Sequence, residues 1–153
     1  KAVIVNTPNN PTGVIYHEDT MRKIGEILEA KEKEIGHEIY LISDEPYREL
    51  VYDGNKEDFL TKYYKNTLVG YSFSKSLSLP GERIGYVVVP DEADDADLLI
   101  EGITVSNRTL GFVNAYRCCQ SACIRIIQFK RFAEIFVQNI LITRNFIIKC
   151  RSV

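Results

Sequence analysis

Several features that commonly reveal function are missing from this chain. No apolar run approaches the roughly 18 residues that a membrane-spanning helix needs. The net charge of −2 gives no overall attraction to nucleic acid or to an acidic membrane surface. Only two histidines are present, His17 and His37. His17 stands next to Glu18, and adjacent residues on a helix do not converge on an ion; His37 stands alone. The four cysteines, Cys118, Cys119, Cys123 and Cys150, contain no C-x(2)-C pair of the zinc-binding kind. A metal centre is therefore not expected. No internal repeat is present. No signal-peptide pattern precedes the first apolar segment, which favours a cytoplasmic location, and the sequence opens directly as a strand, so we read it as a fragment starting within a domain.

What is present is unevenly distributed. Residues 1–114 hold 12 basic and 20 acidic residues, whereas residues 115–153 hold 7 basic residues, one acid (Glu134) and all the cysteines. This divides the chain into two expected units, 1–114 and a divergent, basic, Cys- and Ile-rich tail, 115–153. The tail's apolar positions run too far around a helix to form a single membrane-binding face. We read it as non-native sequence, such as a shifted reading frame produces, and as an aggregation hazard if exposed.

Within the first unit, "AVIV" at 2–5 is a short β-branched run that suits a strand buried on both faces. "NTPNNPTG" comes next, too rich in turn formers to continue any element. Met21, Ile24, Ile27, Leu28 and Ile35 recur at helical spacing, predicting an amphipathic helix from His17 to about Ile35, with Gly36 as its stop. Further strands are predicted at 38–43, 68–73 and 84–90. Residues 59–65 fit either a short helix or a loop, and 91–99 resemble an acidic helix start. Strands separated by helical segments predict an α/β fold: a three-layer sandwich with a mainly parallel sheet and helices on both faces.

In that layout Asn10, Asp44 and Lys75 each fall at or just after the carboxyl end of a strand, where open α/β sheets bind ligands. Taken singly, each has an ordinary reading: a turn, a loop cap and a solvated lysine. Arg83 alone would be a surface ion pair and Tyr47 alone a packing residue. Their order and spacing point elsewhere.

"NNPTG" (9–13), "SDEPY" (43–47) and "SFSKSLSLPGERIGY" (72–86) together resemble, in order, the signatures of the class I/II pyridoxal-phosphate-dependent aminotransferases of fold type I, the aspartate aminotransferase family. The resemblance runs from about residue 1 to 114 and implies a partial large domain of that fold. It implies pyridoxal 5′-phosphate as cofactor and Lys75 as the amine that forms a Schiff base with it and then moves the proton as general acid and base. Arg83 and Ser72 would bind the phosphate, with Ser74 a weaker candidate. Asp44 would pair with the ring nitrogen, its pKa depressed by that cation. Tyr47 and Asn10 would donate to the ring's phenolic oxygen, and Asn10–Pro11 would be a cis peptide.

The implied reaction is amino-group exchange between an amino acid and a 2-oxo acid, by a homodimer. Relatives sharing the lysine motif leave two alternatives: a C–S β-lyase or an aminocyclopropane carboxylate synthase type of enzyme. A third is a truncated, inactive product. The family's small-residue phosphate loop, its ring-stacking aromatic residue and its carboxylate-binding arginine have no counterpart in this sequence, and Arg108 is not that arginine. Little or no activity is therefore expected of this chain by itself.

Overall fold

The computed structural model describes residues 1–55, 57–112, 136–142 and 145–151. Strand β1 (Ala2–Asn6) leads through the proline-rich turn to helix α1 (Glu18–Ile35), then β2 (Tyr40–Asp44). A single 3-10 turn (Leu60–Lys62) precedes β3 (Thr67–Ser72), which feeds directly into the short helix α2 (Phe73–Ser76). A second 3-10 turn (Pro80–Glu82) leads to β4 (Gly85–Pro90), then α3 (Ala96–Thr109), β5 (Phe136–Ile142) and β6 (Asn145–Arg151).

The sheet order is β1-β2-β3-β4-β6-β5. Pairing is parallel for β1–β2, β2–β3 and β4–β6, and antiparallel for β3–β4 and β5–β6. The α/β expectation holds, with the sheet mixed rather than uniformly parallel. The direction of β4 has a functional consequence. Because it runs opposite to β1–β3, its amino end lies beside their carboxyl ends, so Arg83 arrives at the same sheet edge as Asp44 and Ser72.

Two apolar clusters fix the layers. On one face, Met21 and Leu28 of α1 pack with Ile39, Leu41, Leu60 and Tyr64, joined by Val5 of β1. Met21 and Leu41 are fully buried, each worth about 1.5–3 kcal/mol relative to exposure. On the other face, Ala96, Leu99, Ile100 and Ile103 of α3 cover Tyr40, Leu68, Val87 and Val89. Alternation along the strands sends Leu41 to one helix and Tyr40 to the other, which makes the three layers.

Helix α1 begins with Glu18 and Asp19 in its first turn, where negative charge is favoured by the helix dipole. It ends as expected at Gly36, whose φ of 72° is left-handed and whose N–H donates to the Glu32 carbonyl. One expectation fails. The first strand is not buried on both faces: Val5 packs under α1, but Ile4, pointing to the opposite face, is 70% exposed. Helix α3 covers β2, β3 and β4 on that face and does not reach β1. No helix among the described residues is long and apolar enough to cross a membrane.

Candidate active site

The site forms where β1, β2 and β3 end and β4 begins. Register places Asp44 opposite Gly70, Gly70 opposite Val87, and Ser72 opposite Gly85. Gly70 has no side chain to occupy the middle of this patch. A cleft of about 290 Å³ lies over it, lined by Asp44, Gly70, Ser72, Ser74, Arg83 and Val87, among others. That volume is near the lower end of ordinary small-molecule sites, roughly 300–1,000 Å³. A carboxylate, two hydroxyls and a guanidinium thus share one concavity.

The lysine motif builds its part locally. Ser72 caps α2: its Oγ accepts from the Ser74 N–H at 3.2 Å and donates to Ser74 Oγ at 2.8 Å. Lys75 comes next, on the exposed side of that turn. Beneath it, the Tyr71 hydroxyl lies 2.7 Å from both the Ser76 hydroxyl and the Glu49 carboxylate. The Tyr71 ring stacks on Tyr86 at 4.9 Å. Desolvation and then Glu49 raise the Tyr71 pKa, so it stays protonated as a donor. A Cβ on Gly85 would lie 2.3 Å from the Tyr71 carbonyl oxygen, so only glycine permits β4 to approach β3 so closely. Arg83, two residues earlier, holds a left-handed φ of 54° and donates from Nη1 to the Pro80 carbonyl at 3.2 Å.

Asn10, Tyr47 and Lys75 form a second group. Asn10 Nδ2 donates to the Tyr47 hydroxyl at 2.9 Å, and Lys75 Nζ lies 5.7 Å from the Tyr47 ring centre. Asn10–Pro11 is cis, as expected, and Thr7–Pro8 is cis as well. The turn is organised by Asn9, whose Oδ1 accepts from Thr12 Oγ1 at 2.7 Å and whose carbonyl accepts from the Gly13 N–H at 2.7 Å. Gly13 takes φ 70°, which a β-carbon disfavours.

The electrostatics of Asp44 are set here by the chain alone. Its carboxyl is pushed above its ordinary value by desolvation. The depression implied by the resemblance belongs to a state in which a ligand brings a cation against this carboxylate.

Sequence reasoning missed three contributors. Asn6, opposite Asp44 in the β1–β2 register, bonds both Asp44 and the Asn10 backbone. Gly70 leaves the floor of the cleft open. The third is a buried charge cluster behind Tyr47. Arg48 bonds Glu45 from Nε at 2.7 Å, donates to the Glu57 and Asp58 carbonyls, and stacks over the Phe59 ring at 3.8 Å. Glu45 also accepts from Ser43 at 2.6 Å. Arg48 thereby ties the 57–59 segment to the loop carrying Tyr47. A doublet such as Glu45–Arg48 has the look of an ordinary i,i+3 surface pair, and nothing in the local sequence says that it is buried. Among the described residues no group of three or more His, Cys, Asp or Glu side chains could hold a metal ion.

The fold and this donor set define an α/β protein with a strand-end cleft that gathers a carboxylate, two hydroxyls and a guanidinium. The chain belongs to the class I and II aminotransferases: that family's sequence profile matches residues 1–140, past the change in composition near Asn114. It is 37% identical over 113 residues to a probable aspartate/prephenate aminotransferase of Aquifex aeolicus, covering 71% of this chain and 27% of that protein. It is 33% identical over 113 residues to an aspartate aminotransferase of Bacillus subtilis, with the same coverage of 71% and 27%. Among solved structures, an amino transferase from Eubacterium rectale is 60% identical with a TM-score of 0.73, covering 74% of this chain and 29% of that one. The chain thus spans little more than a quarter of the length of these relatives.

Proposed function

We propose that residues 1–114 form the cofactor-anchoring core of a pyridoxal-phosphate-dependent aminotransferase that exchanges an amino group between an amino acid and a 2-oxo acid. The observation that carries this reading is the convergence of Asp44, Ser72, Ser74 and Arg83 on one cleft, with Lys75, Tyr47 and Asn10 beside it. The donor set fits the cofactor: a guanidinium and hydroxyls for a phosphate, a carboxylate for a ring nitrogen, and an amine for an aldehyde.

When bound, pyridoxal phosphate supplies an aldehyde and an electron-accepting ring. Arg83 holds the phosphate through its planar fork, with Ser72 and Ser74 adding hydroxyl donors. Asp44 keeps a proton at the ring nitrogen. Lys75 presents Nζ as the nucleophile and, once free, carries the proton at the substrate's α-carbon. Tyr47 and Asn10, already bonded to each other, direct hydrogen bonds to the phenolic oxygen. By the same family reading the complete protein is a cytoplasmic homodimer, which sedimentation and fractionation would test.

Assays of the purified chain with amino acids and 2-oxo acids distinguish the outcomes. Lys75-dependent amino transfer supports the aminotransferase, and pyruvate and ammonia release would replace it with a lyase. The short span relative to the relatives favours one further reading, a cofactor-binding core that does not turn over by itself. Cofactor bound at Lys75 without either activity would support that reading.

A further inference from the structure

We infer that Asn6 is a positioning residue that locks the ring-nitrogen partner Asp44 and the phenolic-oxygen partner Asn10 into one rigid unit. The assignment of those two roles rests on the proposed function; the coupling itself rests on the geometry. Asn6 ends β1 directly opposite Asp44, which ends β2. Its Nδ2 donates to the Asp44 carbonyl at 3.0 Å and to Asp44 Oδ2 at 3.3 Å. Its Oδ1 accepts from the Asn10 backbone N–H at 2.8 Å and from Asn9 Nδ2 at 3.4 Å. Asn10 in turn reaches the Tyr47 hydroxyl.

The chemistry of the amide suits both ends at once. Acceptors lie on the Asp44 side and donors on the turn side, so one orientation satisfies every contact and the flipped one satisfies none. An aspartate in its place keeps the acceptor for Asn10 but turns a second carboxylate toward Asp44. An alanine loses both ends. Asn6 has no need to touch the cofactor: it acts through Asp44, whose charged form it supports, and through the turn, whose entry it holds.

The test compares the chain with its Asn6→Ala and Asn6→Asp variants, with no cofactor added. The readouts are the Asp44 carboxyl titration by carbon-detected NMR and hydrogen exchange at the Asn10 amide. In Asn6→Ala the Asp44 pKa should rise and the Asn10 amide should exchange about fivefold faster, the factor for one ordinary hydrogen bond. In Asn6→Asp the Asn10 amide should stay protected while Asp44 titrates higher still, coupled to the new carboxyl. Superimposable Asp44 titrations in all three proteins would overturn the proposal, as would equal loss of Asn10 protection in both variants. Loss of amide protection in β2 and β3 in both variants would also overturn it, by making Asn6 a fold residue. These readouts need no cofactor, so failure of Lys75 to bind pyridoxal phosphate would sink the functional reading while leaving the coupling standing.

Discussion

Glu57 gives the most exacting test of the electrostatics behind the Tyr47 loop. Its side chain is 1% exposed and its nearest ion-pair contact is Arg48 Nη1 at 4.0 Å. Desolvation pushes its pKa from 4.5 up to about 7, outweighing the opposite pulls of the Thr7 hydroxyl and Arg48. The consequence for stability has a definite sign. Below pH 4.5 both folded and unfolded chains hold the proton, and burial carries no charge penalty. Between pH 4.5 and about 7 the unfolded chain releases the proton while the folded chain retains it, so stability falls as pH rises. At 1.36 kcal/mol per unit, the full loss is on the order of 3 kcal/mol. Glu57→Gln removes the titrating group while keeping its size. Urea denaturation at pH 4.5, 6 and 8 should show a variant close to wild type at the lowest pH and more stable by about 2–3 kcal/mol at the highest. A difference that is flat with pH, or that grows toward acid, would refute the reasoning and mean that Arg48 compensates Glu57 fully.

Other consequences can be checked as directly. Gly25→Ala should destabilise the fold by roughly 1–3 kcal/mol in thermal or urea melts, because its Cβ would meet the Tyr63 carbonyl oxygen at 2.3 Å; that clash outweighs the helix-propensity gain of about 1 kcal/mol. Gly70→Ala should do the reverse on two readouts. Its methyl meets only the Ser43 carbonyl oxygen, at 3.8 Å, so stability should hold or rise by about 0.5 kcal/mol, while the filled cleft floor weakens pyridoxal phosphate binding in an absorbance titration. Arg83→Lys, which replaces a bidentate fork by a point charge, should weaken that binding by about tenfold with little change in the melt.

Much of this architecture is legible in the sequence. The strands announce themselves as short β-branched runs between turn formers, and α1 as a 3.6-residue repeat closed by Gly36. Asn10, Asp44 and Lys75 stand out through strand ends alone, since one sheet edge collects the residues after every parallel strand. The features that stay hidden depend on pairing across the sheet. The exposure of Ile4 reflects how far α3 reaches, and no periodicity in β1 encodes the length of a helix 90 residues later. Arg83 joins the site because β4 is antiparallel to β3, a choice of direction that its apolar pattern does not carry. Asn6 looks like one more turn residue until the register sets it against Asp44. The Glu45–Arg48–Glu57 cluster shows the same limit for charge: burial, which decides its energetics, is a property of the packed loop.

The proposed role of Lys75 as the amine of a pyridoxal phosphate site in this chain can be tested by trapping. The purified protein should be mixed with pyridoxal phosphate, its visible absorbance recorded, and the mixture reduced with borohydride before peptide mass mapping. The expected result is a yellow complex, one cofactor fixed on the peptide containing Lys75, and loss of both in Lys75→Ala. Label scattered over surface lysines, or colour that survives Lys75→Ala, would contradict it.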